Sequence, residues 1–385
     1  MKPGAKDAVR NNRSMLAVLA GAAIATGSPA NAGSYRVVYS FGGAGDGAYP
    51  DGSLIDVGGV LYGTNTDGGA SKQGTVFAVN PATGVEALVH VFQGSDGGNP
   101  YAGLIKLGAN LYGTTFRGGT CGCGTVFEVN PTTGKEKVVY SFSGGSDGEL
   151  PYAGLINVGG TLYGSTVTAG AYGHGTLFAV NPATGALAVI HAFAGGDDGA
   201  YPAASMIKLG NKLYGTTAAG GSDGYGTVFA VNPATGREKV IHTFLGGSDG
   251  ELPDASLINV DGTLYGTTAA GGTGGYGTVF AVKLASGAET VVYSFRSGRD
   301  GENPYANLTS LGGKLYGTTE NGGYGLGTLF EVNPATGKEK VVYSVGGPSD
   351  SVEPHAGLIN IGGTLYGTSF GGGTSNQGTV FAYTP

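Results

Sequence analysis

The stretch that decides the fold is DGTLYGTTAAGGTGGYGTVFAVKLASGAETVVYSF, Asp261–Phe295. It contains three short β-branched and aromatic runs, TLYGTT, GTVFAV and TVVYSF, separated by glycine-rich segments. Runs of this kind bounded by glycine read as strands and turns. The stretch also recurs. Leu-Tyr-Gly begins at Leu61, Leu111, Leu162, Leu213, Leu264, Leu315 and Leu365, in steps of 50 or 51. Gly-Thr-Val/Leu-Phe begins at Gly74, Gly124, Gly175, Gly226, Gly277, Gly327 and Gly378. Val-Val-Tyr-Ser-Phe or a close variant ends at Phe41, Phe92, Phe142, Phe193, Phe244, Phe295 and Val345. Seven prolines, Pro50 to Pro354, open segments like PYAGLI. A period of this length marks a repeat architecture.

Each unit reads as four strands: A (AGLINVG), B (TLYGTT), C (GTVFAVN) and D (KVVYSF). Dipeptides such as GG, DG and NK join A to B as tight hairpins, and NPATG turns join C to D. Several strands are apolar on consecutive residues, which suits sheets covered on both faces. Four short antiparallel strands repeated seven times predict an all-β, seven-bladed propeller, one domain spanning 33–385. The chain opens this domain with a lone strand D, Arg36–Phe41, and ends it with A, B and C of the last unit. That split makes one whole blade if the ring closes. An open solenoid would want polar capping repeats instead. With no tryptophan in the chain, Phe and Tyr are expected to supply the packing between blades.

The quoted unit resembles the GloVer tandem repeat of Gloeobacter and Verrucomicrobia proteins, and the resemblance covers nearly all of the chain after residue 32. It implies a propeller-like repeat in an exported bacterial protein. It brings no catalytic residues with it. Members carry varied C-terminal anchors, and no anchor is visible here.

Residues 1–32 read as a signal peptide. Lys2, Lys6, Arg10 and Arg13 precede an apolar run from Met15, and Ala30-Asn31-Ala32 forms a small-x-small cleavage site. The expected location is periplasmic or extracellular, with no membrane span. Beyond residue 32 the chain has 16 basic and 26 acidic residues, a net charge of −10. That excludes nucleic acid and anionic membrane surfaces as natural partners.

In an antiparallel meander the D–A and B–C loops share one face. There the sequence places 17 acidic residues against Lys72, Arg117, Arg296 and Arg299, a net of −13. Seven of the acids occupy matching positions in the D–A loops: Asp46, Asp96, Asp147, Asp198, Asp249, Asp300 and Asp350. Glu149, Glu251 and Glu302 follow two residues after three of them. Two readings apply. Asp before glycine commonly fixes a turn through backbone amides, which seven like turns would require. Alternatively the carboxylates form a cation face, Ca²⁺ being the candidate ion, although the spacing matches no D-x-D-x-DG loop. Paired carboxylates also suit a glycosidase, but three equivalent pairs argue against one active centre.

Phe116, Tyr172, Tyr225, Tyr276, Tyr324 and Phe370 in the B–C loops form a candidate aromatic rim, suited to glycan or protein contacts. His90, His191 and His242 take the Tyr position of strand D, a packing position. His174 has no evident packing role. Cys121 and Cys123 could pair locally, an exported protein being open to oxidation. No metal site and no catalytic residue are assigned, and no cofactor is expected. The resulting expectation is a monomeric, non-catalytic binding or scaffold module. Its acidic, aromatic-rimmed face would engage a protein, glycan or cation. The alternative is a lyase or glycosidase-like enzyme with its site at the central channel on that face.

Overall fold

The computed structural model describes residues 33–385 except Ala44 and Pro348; the expected signal peptide lies outside the described residues. The strands form seven antiparallel blades arranged in a ring. Blade 1 holds strand A at Ile55–Val57, B at Val60–Asp67, C at Thr75–Val79 and D at Glu86–Val91. Blades 2 to 6 repeat this order along the chain. In blade 7, Ile359–Ile361, Thr364–Ser369 and Thr379–Thr384 supply A, B and C, and Ser34–Ser40 supplies D, paired from Ser34↔Thr384 to Ser40↔Thr379. Among the described residues, regular structure apart from strands amounts to three single 3₁₀ turns, one of them Gly247–Asp249.

The repeated residues explain the stacking of blades. The Phe of Gly-Thr-Val/Leu-Phe lies fully buried under the glycine of Leu-Tyr-Gly. A Cβ on Gly63 would stand 2.5 Å from the Phe77 ring, and one on Gly215 would stand 2.7 Å from Phe229. Only glycine permits this approach. The Phe ending strand D meets the next blade's buried Phe edge-on. Ring centroids are 4.9 Å apart for Phe41–Phe77, 5.0 Å for Phe92–Phe127 and 5.3 Å for Phe193–Phe229. Such pairs take the place of tryptophan. Where Val345 interrupts the series, Tyr35 stacks on Tyr343 at 3.9 Å and on Phe381 at 5.5 Å.

The seams also share a buried hydrogen bond. The first threonine after Leu-Tyr-Gly donates to a carbonyl of the next blade, as Thr64 does to Ala102 at 2.9 Å and Thr114 to Ala153 at 2.9 Å. Thr368 does the same to Gly52, from blade 7 to blade 1, at 3.2 Å.

The A strands lie innermost, with neighbours in contact around the axis. Small residues precede them because the axis is crowded. A Cβ on Gly103 would meet the Ser53 carbonyl at 2.5 Å. Ser205 Oγ accepts the Gly154 amide at 2.8 Å. Ser53 Oγ donates to Asn307 Oδ1 at 3.3 Å, so blades 1 and 6 reach each other past blade 7.

Candidate functional site

The seven loop aspartates are engaged by their own loops. Asp46 accepts from the Gly42 and Gly43 amides and from Tyr39 Oη at 2.7 Å. Asp147 accepts from Ser143 and from Tyr140 Oη at 3.0 Å, and Asp300 from the Arg296 amide and Tyr293 Oη. Asp350 accepts from the Gly346 amide and Tyr343 Oη. Where the strand D residue is histidine, the ring takes over the Tyr bond. His90 stands 3.0 Å from Asp96, His191 3.1 Å from Asp198 and His242 3.4 Å from Asp249. A β-bulge in strand D, at Val138/Tyr140 for example, turns this ring onto the loop. Hydrogen bonds hold Asp147 and Asp198 below the usual carboxylate range despite partial burial. Glu149 accepts from Thr168 Oγ1, Glu251 from the Gly247 amide, and Glu302 from Ser297 Oγ.

Glu86, Glu136, Glu238, Glu289 and Glu339 open strand D. Each lies beside a loop aspartate that follows strand D of the preceding blade: Asp46, Asp96, Asp198, Asp249 and Asp300 respectively. Burial first, and the neighbouring carboxylate second, raise the first three to about 7 and the last two to about 8. Three of these Glu–Asp pairs include a histidine: His90–Asp96–Glu136, His191–Asp198–Glu238 and His242–Asp249–Glu289. Tyr39, Tyr140, Tyr293 and Tyr343 do the same anchoring in other blades.

The aromatic rim divides. Tyr172, Tyr276 and Tyr324 are exposed on B–C loops, whereas Tyr225 lies half-buried over Gly246, against a core cluster. His174, expected to lack a packing role, lies on Gly195 and edge-on to Tyr201 at 5.6 Å. Cys121 and Cys123 are joined as a disulfide in their loop. Phe116 and Phe370 stand apart from the others, at the mouth of the axis.

The mouth is built from three positions per blade: the residue before the conserved-in-repeat proline, the residue after it, and the second residue past Gly-Thr at the end of strand B. The backbone welds them. In every blade the pre-proline residue has positive φ, from 52° at Asn99 to 61° at Tyr201. Its carbonyl accepts from the strand-B residue, as Asn99 does from Phe116 and Leu252 from Ala269. The side chains at these positions differ from blade to blade. The pre-proline position holds Tyr49, Asn99, Leu150, Tyr201, Leu252, Asn303 and Glu353. The post-proline position holds Asp51, Tyr101, Tyr152, Ala203, Asp254, Tyr305 and His355. The strand-B position holds Thr66, Phe116, Val167, Ala218, Ala269, Glu320 and Phe370. Of these positions the loop aromatics Phe116 and Phe370 are legible in the sequence, whereas the rest follow no repeat.

Two groups form there. In blades 2 and 3, Tyr101 stacks on Tyr152 at 5.0 Å, and Phe116 stands edge-on to Tyr101 at 5.3 Å. In blades 6, 7 and 1, His355 Nδ1 donates to Asp51 Oδ1 at 3.1 Å, and its Nε2 lies 3.4 Å from Glu320 Oε1. Phe370 stacks between His355 at 5.4 Å and Tyr49 at 4.8 Å. Burial alone would lower His355, but the Asp51 and Glu320 carboxylates beside the ring outweigh it and raise its pKa to about 10. Blades 4 and 5 contribute alanines and Asp254, whose Oδ1 is buried without a hydrogen bond and whose carboxyl burial pushes up to about 7.

Fold and site together define a seven-bladed propeller with an asymmetric axial mouth. The chain belongs to the Gloeobacter/Verrucomicrobia repeat family, whose model matches residues 26–171 and 144–325. No curated protein matches it. Among solved structures, it is similar to the extracellular domain of BT4673 from B. thetaiotaomicron, at 12% identity and TM-score 0.61, covering 90% of this chain and 39% of that one. It is also similar to an oligogalacturonate lyase in complex with manganese, at 12% identity and TM-score 0.51, covering 88% and 89%. A second oligogalacturonate lyase, from Vibrio parahaemolyticus, matches at 12% identity and TM-score 0.52, covering 88% and 90%. Likeness at this identity is likeness of fold. No helix among the described residues is long and apolar enough to cross a membrane.

Proposed function

We propose that this chain is an exported binding module that seats an uncharged or cationic glycan on the axial mouth. The observation that carries the reading is the convergence of unlike side chains, aromatic and acidic, at the three columns where the repeat is not kept. The Tyr101–Tyr152 stack with Phe116 offers ring faces of the kind that pack on sugars, and the carboxylates grouped around His355 can accept from hydroxyls or ammonium groups. A polyanion such as the oligogalacturonate named for the lyases would be repelled by the acidic loops. Titration calorimetry with neutral and amino oligosaccharides tests this. Tyr152→Ala is expected to weaken binding at least tenfold; binding that ignores both Tyr101→Ala and Tyr152→Ala refutes it.

Asp254 favours a second, catalytic reading of the same mouth. A half-buried carboxyl whose Oδ1 is buried without a partner, and which desolvation pushes up to about 7, has the property of a general acid. Turnover of a glycoside substrate that is lost in Asp254→Asn, with binding retained, would establish it. Absence of turnover across a broad substrate panel would leave binding alone. Export rests on residues 1–32 acting as a signal peptide; the N-terminus of the secreted protein should then be Gly33.

A further inference from the structure

We propose that His355, Glu320 and Glu353 form a binding site for a divalent first-row transition-metal ion, with zinc or manganese as the expected occupant. The donor atoms of the three side chains lie within 4.8 Å of one another. Ligands about 2.1 Å from a shared ion stand roughly 3–4 Å apart, so modest side-chain rotation completes the set. One imidazole with two carboxylates suits zinc or manganese. Calcium takes oxygen ligands and would not use the ring.

The orientation of His355 supports this assignment independently of the cluster. Its Nδ1 is committed to Asp51, whose side chain is 5% exposed. Its Nε2 is buried, makes no hydrogen bond and faces Glu320. A ligating histidine whose other nitrogen donates to a carboxylate is the usual arrangement around a metal. Three carboxylates surround one imidazole here, so even an imidazolium leaves a net charge of −2 for a cation to offset.

Repetition supplies a further argument. The pre-proline column has no other Glu, the post-proline column no other His, and the strand-B column no other Glu. The propeller builds six blades without any of them. The outer His–Asp–Glu clusters differ in this respect, since their histidine recurs at one strand-D position in three blades, as His90, His191 and His242.

The site goes beyond the glycan reading and does not depend on it. The glycan test reads Tyr101 and Tyr152, whereas the metal test reads stoichiometry and His355. The full secreted chain is stripped with chelator and titrated separately with Zn²⁺, Mn²⁺ and Ca²⁺, and bound metal is counted by mass spectrometry. The expected result is one Zn²⁺ or Mn²⁺ per chain. His355→Tyr, Glu353→Asn and Glu320→Ala should each reduce affinity at least tenfold. Each introduces a residue that the same column already carries in another blade, so folding is preserved. Asp51→Asn should weaken binding about tenfold to a hundredfold, and His191→Tyr should leave it unchanged. No saturable binding of either transition ion overturns the proposal. So does binding that survives His355→Tyr, or binding of three ions that falls away in His191→Tyr.

Discussion

A single side chain can be judged by whether other blades need it. Asp147 has counterparts in the other six loops and bonds Ser143 and Tyr140, so its task is local. Asp147→Ala removes charge-assisted hydrogen bonds and is expected to cost about 2 kcal/mol, read as a lower denaturant midpoint at unchanged slope. No change in midpoint would mean that the loop is held by its backbone alone. Tyr140→His should be better tolerated than Tyr140→Phe, because histidine already makes this bond at His90 and His191. His355 has no histidine counterpart in its column in the other six blades, so the packing of the repeat does not require it.

At the scale of the strand and the blade, stability comes from paired constraints repeated around the ring. The Phe229 ring sits against Gly215, and Phe193 meets it edge-on across the seam. Gly215→Ala places a methyl 2.7 Å from that ring and is expected to destabilise by roughly 1–3 kcal/mol. Phe229→Ala should cost about 3–5 kcal/mol. A calorimetric melt checks both. A Gly215→Ala protein that melts with the wild type would show that the seam can open without penalty.

For the whole molecule, the seam glutamates predict the pH dependence. Glu86, Glu136, Glu238, Glu289 and Glu339 hold protons in the folded state up to about pH 7 or 8. Unfolded, they release them near 4.5. A raised folded value contributes stability that is complete below the unfolded value and is lost as pH rises through the folded one. His355, raised to about 10, acts in the same direction above pH 6.5. Asp254, raised to about 7, adds to the trend, and His242, lowered by burial, opposes it near its ordinary value, as one group against seven. Asp147 and Asp198 act only below their ordinary values, outside this window. The melting temperature should therefore fall by several degrees between pH 5 and pH 8.5, and Glu289→Gln should flatten the slope. A melting temperature that rises over this range would contradict the protonated seams. Removing Ser34–Ser40 should leave strand Thr379–Thr384 as an open edge and promote aggregation, measurable by light scattering.

The sequence by itself determined the architecture. Seven copies of each marker set the number of blades, and the lone strand D at Arg36–Phe41 showed how first and last would join, because a repeated hydrophobic pattern is a local signal. It also located the aspartates and the aromatic loops. What it could not convey is which positions meet across blades. The bulge that turns Tyr140 onto Asp147, the seam that carries Glu289 to Asp249, and the approach of Glu320, His355 and Asp51 from three blades all depend on how sheets twist and stack. These contacts join residues as much as 304 positions apart and follow no period. Search by repetition finds what every blade shares. The mouth of the axis is where the blades differ, so only the tertiary structure could assemble it.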